Sequence, residues 1–134
     1  MRYGFCALAI AAALSTAPIL AHHSFGGTYD VDKLVTIKGT LAQITLRSPH
    51  SFLYVEVNDA EGAGKRWTIE GASAAQFIAQ FSQQGAKDAF KVGDPVEVVG
   101  NPSRSPNSTR ARLIRITRVT DGKVWGGRVD EKVN

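Results

Sequence analysis

Val35, Ile37, Leu41 and Ile44 alternate with polar neighbours, with a phase slip near Gly39. This pattern predicts one long strand from Leu34 to Leu46, bent or bulged near that glycine. Arg47-Ser48-Pro49 reads as a turn. His50 to Val57 follows as a second strand, rich in the β-branched and aromatic residues that suit a pleated surface. Asn58 to Gly64 has the composition of a hairpin loop, and Lys65 to Glu70, with Trp67 and Ile69, makes a third strand. The period then changes. Ser73 is an N-cap, Phe77, Ile78 and Phe81 are spaced to share one helical face, and Gly85 ends a helix running from Ser73 to Gln84.

Beyond the helix, Val92-Gly93-Asp94 turns the chain into a fourth strand, Pro95 to Val99. Asn101 to Thr109 is a Pro, Ser and Asn loop, and Arg110 to Val119 a fifth strand. Asp121-Gly122 turns into a short returning strand, Lys123 to Trp125. There is no internal repeat and no low-complexity tract. The fold class expected is all-β with one helix: a small antiparallel OB-fold-like barrel in the order β-β-β-α-β-β. A bend at Gly39 lets the first strand pair with two neighbours, as closing a small barrel requires.

The first 21 residues change this picture. Arg2 precedes the apolar run Phe5 to Leu14, Pro18 closes it, and Ala21 is the small residue a signal peptidase requires. Residues 1–21 are therefore expected to be a signal peptide, 22–125 a single OB-like domain and 126–134 a flexible tail. The apolar run is too short to span a bilayer and nothing later resembles a membrane helix, so no transmembrane anchor is expected in the mature chain. Cys6 is the single cysteine and lies in the leader, which leaves no thiolate ligand, disulfide or cysteine nucleophile in the mature chain. A periplasmic or secreted protein is expected.

Cleavage after Ala21 makes His22 the mature N-terminus, followed by His23. An N-terminal histidine offers two nitrogens to one metal, the free α-amine and imidazole Nδ1. That pair suits Cu(II), which prefers tetragonal nitrogen ligation, with zinc second. The third histidine, His50, follows Pro49 and supplies a second imidazole, completing the nitrogen set of a histidine brace. His23 is either a fourth ligand or a bystander, because neighbouring side chains of an extended segment point apart. The metal candidates are thus His22, His50 and His23. Glu70 is a candidate outer partner for a histidine ligand. Otherwise His22 and His23 are an ordinary exposed end, and His50 a turn residue bonded to a carbonyl.

No Ser/His/Asp spacing or nucleophile elbow surrounds Ser24, Ser48, Ser51 or Ser73, so no catalytic residue is assigned and the reading leans away from an enzyme. Sixteen Lys and Arg against 12 Asp and Glu give a mild positive excess, with five arginines between Arg104 and Arg118. For an exported chain these point to an envelope protein or an anionic glycan rather than nucleic acid, or else to solvated strand faces. Phe52, Tyr54 and Trp67 are either a stacking platform or core, core being favoured for Trp67.

The opening His22-His23-Ser24-Phe25, Tyr29-Asp30, the strand Val35 to Thr40, the Pro49-His50 turn, Trp67 with Glu70-Gly71, and Val92-Gly93-Asp94 with Val96 to Val98 together resemble one family. It is a family of small exported bacterial proteins known as a domain of unknown function, and the resemblance runs from His22 to about Trp125. Ser48 stands where members usually carry Asn before Pro49-His50. The resemblance implies a small β-barrel and no established activity.

Two functions follow as expectations. The first is an exported Cu(II)-binding protein, a carrier, sensor or resistance factor, using His22, His50 and less firmly His23. The alternative is a non-metal interaction module, in which a face with Tyr54, Arg110, Arg112 and Arg115 binds an envelope peptide, glycan or protein.

Overall fold

The computed structural model describes residues 25–58, 64–84 and 90–126, with only the backbone at 81–84. Its elements are α1 (Phe25–Thr28), β1 (Val35–Thr45), β2 (Phe52–Asn58), β3 (Gly64–Glu70), α2 (Ala74–Gln84), β4 (Pro95–Pro102), β5 (Arg110–Arg118) and β6 (Val124–Gly126). The strands hydrogen-bond in the order β3-β2-β1-β4-β5-β6, and a further pairing of β3 with β5 closes the first five into a barrel. The closing pair is parallel, Thr68 to Glu70 against Arg110 to Arg112, and every other pair is antiparallel. This is the expected OB-like barrel.

β1 is shared between two neighbours. Val35 to Thr40 pair with β4, and Thr40 to Thr45 pair with β2. The exchange at Thr40 adjoins Gly39, where a Cβ would sit 2.2 Å from the Glu56 carbonyl oxygen, so only glycine admits this approach of β2. The bulge itself falls later, between Leu41 and Gln43. Ile37 and Leu41 therefore stay on one inward face, and the phase changes only before Ile44.

Leu41, Val55, Ile69, Val98 and Ile116 fill the barrel, all essentially buried. Helix α2 adds Phe77, which is buried and stacks on Trp125 of β6 with ring centroids 3.9 Å apart. Gly71 makes room for that ring, since a Cβ there would lie 2.8 Å from Phe77. Ile78, expected on the same face, is 53% exposed, because adjacent helical positions differ by about 100° in direction. The Phe81 side chain lies outside the described residues. The helix start is a capping box: Gln76 N–H donates to Ser73 Oγ, and Ser73 N–H donates to Gln76 Oε1. Trp67 is half-buried and packs against the core.

One further expectation is corrected. β4 runs three residues past Val99, because Asn101 is buried and its Nδ2 donates to the carbonyls of Val31 and Lys33 at 3.3 and 2.8 Å. A residue read as loop is thus a strand residue that ties down the lead-in. In that lead-in Phe25–Thr28 form one helical turn, and Tyr29 bridges Ser103 beyond β4.

Candidate functional site

His50 sits at the head of β2, and the turn before it is braced by Ser51. The buried Ser51 hydroxyl donates to the Arg47 carbonyl and accepts from the Arg47 N–H, at 3.2 and 3.1 Å. The Ser51 main chain is tied to the segment after β3: its N–H donates to Ala72 O, and its carbonyl accepts from Gly71 N–H, both at 2.8 Å. The Ser48-Pro49 peptide is cis. These bonds place the His50 side chain beside the last residue of β3, Glu70.

Glu70 is the hub of the site. Its Oε1 lies 2.5 Å from His50 Nδ1. Its Oε2 accepts a short hydrogen bond from the Tyr29 hydroxyl and lies 3.6 Å from a guanidinium nitrogen of Arg110. Tyr29 is fully buried, and burial first, then the bond to Glu70, pushes its phenol far above the ordinary tyrosine range. It is a fixed donor to the carboxylate. The expected pairing of Glu70 with a histidine is present, although Tyr29 and Arg110 as further partners were not foreseen. Tyr29 lies in the polar lead-in, 41 residues from Glu70, so its role has no local signature in the chain.

Phe25 closes the site from above. Its ring stacks on His50 at 5.1 Å between centroids and 28° between planes, and the Arg112 guanidinium lies 4.3 Å from its centre. The segment carrying Phe25 is held by Arg104, whose side-chain Nε donates to Gly26 O at 2.7 Å and whose backbone N–H donates to Thr28 O at 3.0 Å. The N-terminal segment therefore runs to the barrel end that holds His50. Beside these residues a cleft of about 580 Å³ opens between the His50 turn, α2 and the β5–β6 pair.

His22 and His23 lie outside the described residues, so their distances to His50 are not part of this geometry. Among the described residues no group of three or more His, Cys, Asp or Glu is arranged to hold a metal. Of the four residues of the expected recognition face, Arg110 and Arg112 both reach the His50–Glu70 site. Arg110 is engaged by Glu70, Arg112 by Phe25, and Arg115 is half-buried with its Nε lacking a hydrogen-bond partner. Tyr54 instead carries Arg66 over its ring, at 5.1 Å, and Arg66 also donates to Gln43.

A family model matches residues 9–112. The chain belongs to the family of unknown function DUF6152. The match spans most of the barrel and the histidine turn. No curated protein matches the sequence. Among solved structures, the mitochondrial single-stranded DNA binding protein Rim1 of S. cerevisiae is similar in two crystal forms. Form 1 is 14% identical, with 68% of this chain and 97% of that one covered, at a TM-score of 0.50. Form 2 is 12% identical, with 72% and 96% covered, at a TM-score of 0.46. At this identity the first likeness shows a shared fold. It also corrects the exclusion of nucleic acid. That exclusion rested on the expected compartment alone, and the same barrel serves a single-stranded DNA binding protein.

Proposed function

We propose that this DUF6152 member is an exported metal-binding protein that takes Cu(II) between its mature N-terminus and His50. The observation that carries the reading is the stack of Phe25 on His50, with His50 Nδ1 already taken by Glu70. A carboxylate on one imidazole nitrogen orients the ring and leaves the other as the ligand, the arrangement usual behind metal-bound histidines. For His50 that ligand is Nε2. His22 stands three residues before Phe25, and three residues of chain reach at most about 10 Å. After cleavage at Ala21, His22 contributes its α-amine and Nδ1 and His50 its Nε2, three nitrogens around one ion. His23 is a fourth ligand or a bystander. Neutral imidazoles are the ligand form. A carrier, sensor or resistance role in the periplasm or outside the cell requires binding alone, and no catalytic group is assigned.

The test has two parts. Mass spectrometry of the exported protein should show a chain starting at His22, and any other start leaves no His22 with a free amine and ends the reading. Cu(II) titration should then rank three altered forms. Acetylation of the His22 amine should weaken binding most, His50→Ala less and His23→Ala least. Equal affinities across the set would refute a shared site.

A second reading is favoured by Arg66 lying over Tyr54 on the outside of β2 and β3. An aromatic and a cation on this face of an OB-like barrel suit a stacked, anionic or extended ligand. The ligand classes are an envelope peptide, a glycan or, as in Rim1, single-stranded nucleic acid. Loss of binding to a dT oligonucleotide or an anionic oligosaccharide in Tyr54→Ala, with Cu(II) affinity unchanged, would identify this face as a separate site.

A further inference from the structure

The cleft beside His50 has one charged group whose charge is not matched. Its apolar wall includes Leu113, Trp125, Ala72 and Ala79. Its ionisable side chains are His50, Glu70 and Arg112. The Glu70 carboxylate has partners on both oxygens, His50 on one and Tyr29 and the Arg110 cation on the other. Arg112 differs. Among the described residues it enters no ion pair, and its recorded partner is the face of Phe25. Burial pushes its guanidinium down from the ordinary arginine range.

The geometry of that contact decides what else Arg112 can bind. A guanidinium stacks through its flat face and hydrogen-bonds through its edge. The guanidinium carbon lies over the Phe25 ring, and among the described residues no hydrogen bond or ion pair takes its N–H groups, which are left for a carboxylate that a guanidinium matches in a bidentate manner. A half-buried cation holds such a partner more strongly than an exposed one, because less water competes. An apolar wall next to it favours a ligand with a hydrocarbon body, and a volume of about 580 Å³ is in the range of small-molecule sites.

We propose that this cleft binds a small organic anion, with the carboxylate on the Arg112 edge and an apolar body of roughly eight carbons against Leu113 and Trp125. The cleft adjoins His50, Glu70 and Phe25 of the copper reading but needs no metal, and it is tested with chelator present, so that failure of octanoate binding is distinguishable from failure of copper binding. Octanoate is titrated into the folded protein while the indole N–H signals of the two tryptophans are followed by NMR. Trp125 lines the cleft and Trp67 does not. Octanoate should shift Trp125 and leave Trp67 in place. Acetate, which lacks the body, and octan-1-ol, which lacks the charge, should each bind at least about tenfold more weakly.

Arg112→Gln should lose about tenfold in octanoate affinity, and Arg112→Lys, which keeps the charge, should lose less. A dispersed spectrum with an unmoved Trp67 signal verifies that each variant is folded. If Arg112→Gln does not fold, the comparison of octanoate with octan-1-ol on the parent protein decides the matter alone. Octan-1-ol binding as tightly as octanoate would overturn the proposal. So would an Arg112→Gln protein of unchanged affinity, or a shift at Trp67 as large as at Trp125.

Discussion

His50 Nδ1 and Glu70 Oε1 lie 2.5 Å apart, joining the turn before β2 to the last residue of β3. The pair is not isolated, because the second oxygen of the same carboxylate holds Tyr29 from the lead-in. One side chain thus ties together the loop that carries His50 and the segment that leads back to the N-terminus. Glu70→Gln keeps the shape and removes the charge that orients the imidazole. Copper affinity of the mature protein should fall about 10- to 100-fold, as for outer partners of other metal ligands. Isothermal titration checks it, with the thermal midpoint recorded alongside, and unchanged affinity would sever Glu70 from the metal site.

Gly39 and Gly26 make a matched pair for the barrel geometry. A methyl at Gly39 meets the Glu56 carbonyl at 2.2 Å, whereas one at Gly26 has nothing within 4 Å. Gly39→Ala should destabilise by about 1–3 kcal/mol, the usual cost of forced overpacking. Gly26→Ala should stay within about 0.5 kcal/mol of the parent. Urea denaturation of the two variants measures both, and equal midpoints would contradict the close approach of β1 and β2.

Phe77 is the side chain through which α2 closes the barrel end, buried and stacked on Trp125. Phe77→Ala should cost about 3–5 kcal/mol. Ile78→Ala, at a 53% exposed position, should cost far less. Comparable losses for the two would mean that the helix faces the barrel differently.

Acid should act on the turn after β5. Hydrogen bonds from Arg118, then from the Lys123 backbone, hold the Asp121 carboxyl down to about 2 from its ordinary 3.8. A carboxyl whose folded value is depressed adds stability that is fully present above its unfolded value and is lost as pH falls through its folded value. The contribution of Asp121 should therefore be complete above pH 3.8 and disappear towards pH 2. Asp121→Asn should flatten that part of the stability profile. An identical profile from pH 5 to pH 2 would show that the pair is idle.

Where patterns are local, the chain declares them. The alternation of Val35, Ile37 and Leu41, the Ser73 cap and the Asp121-Gly122 turn are each read within a few residues, and each lies where it was expected. What was not legible depends on partners far along the chain. Asn101 looks like a loop residue until Val31 and Lys33 offer it carbonyls, and Ile78 looks apolar and therefore inward until the helix direction is known. At the site, His50 and Glu70 were visible as residue types with a role. Tyr29 and Phe25 were not, because nothing within a dozen residues of either shows that they meet Glu70 and His50.

The central claim is that the barrel adds a ligand to the histidine at the mature N-terminus. It is tested most directly by comparing Cu(II) affinity, under identical buffer, of the mature folded protein and of a peptide of residues 22–33. The peptide keeps the N-terminal amine, His22 and His23 but lacks His50. The folded protein should bind at least about tenfold more tightly, with His50 as the added nitrogen oriented by Glu70. Equal affinity of peptide and protein would show that the terminus binds copper unaided and that His50 is no part of the site.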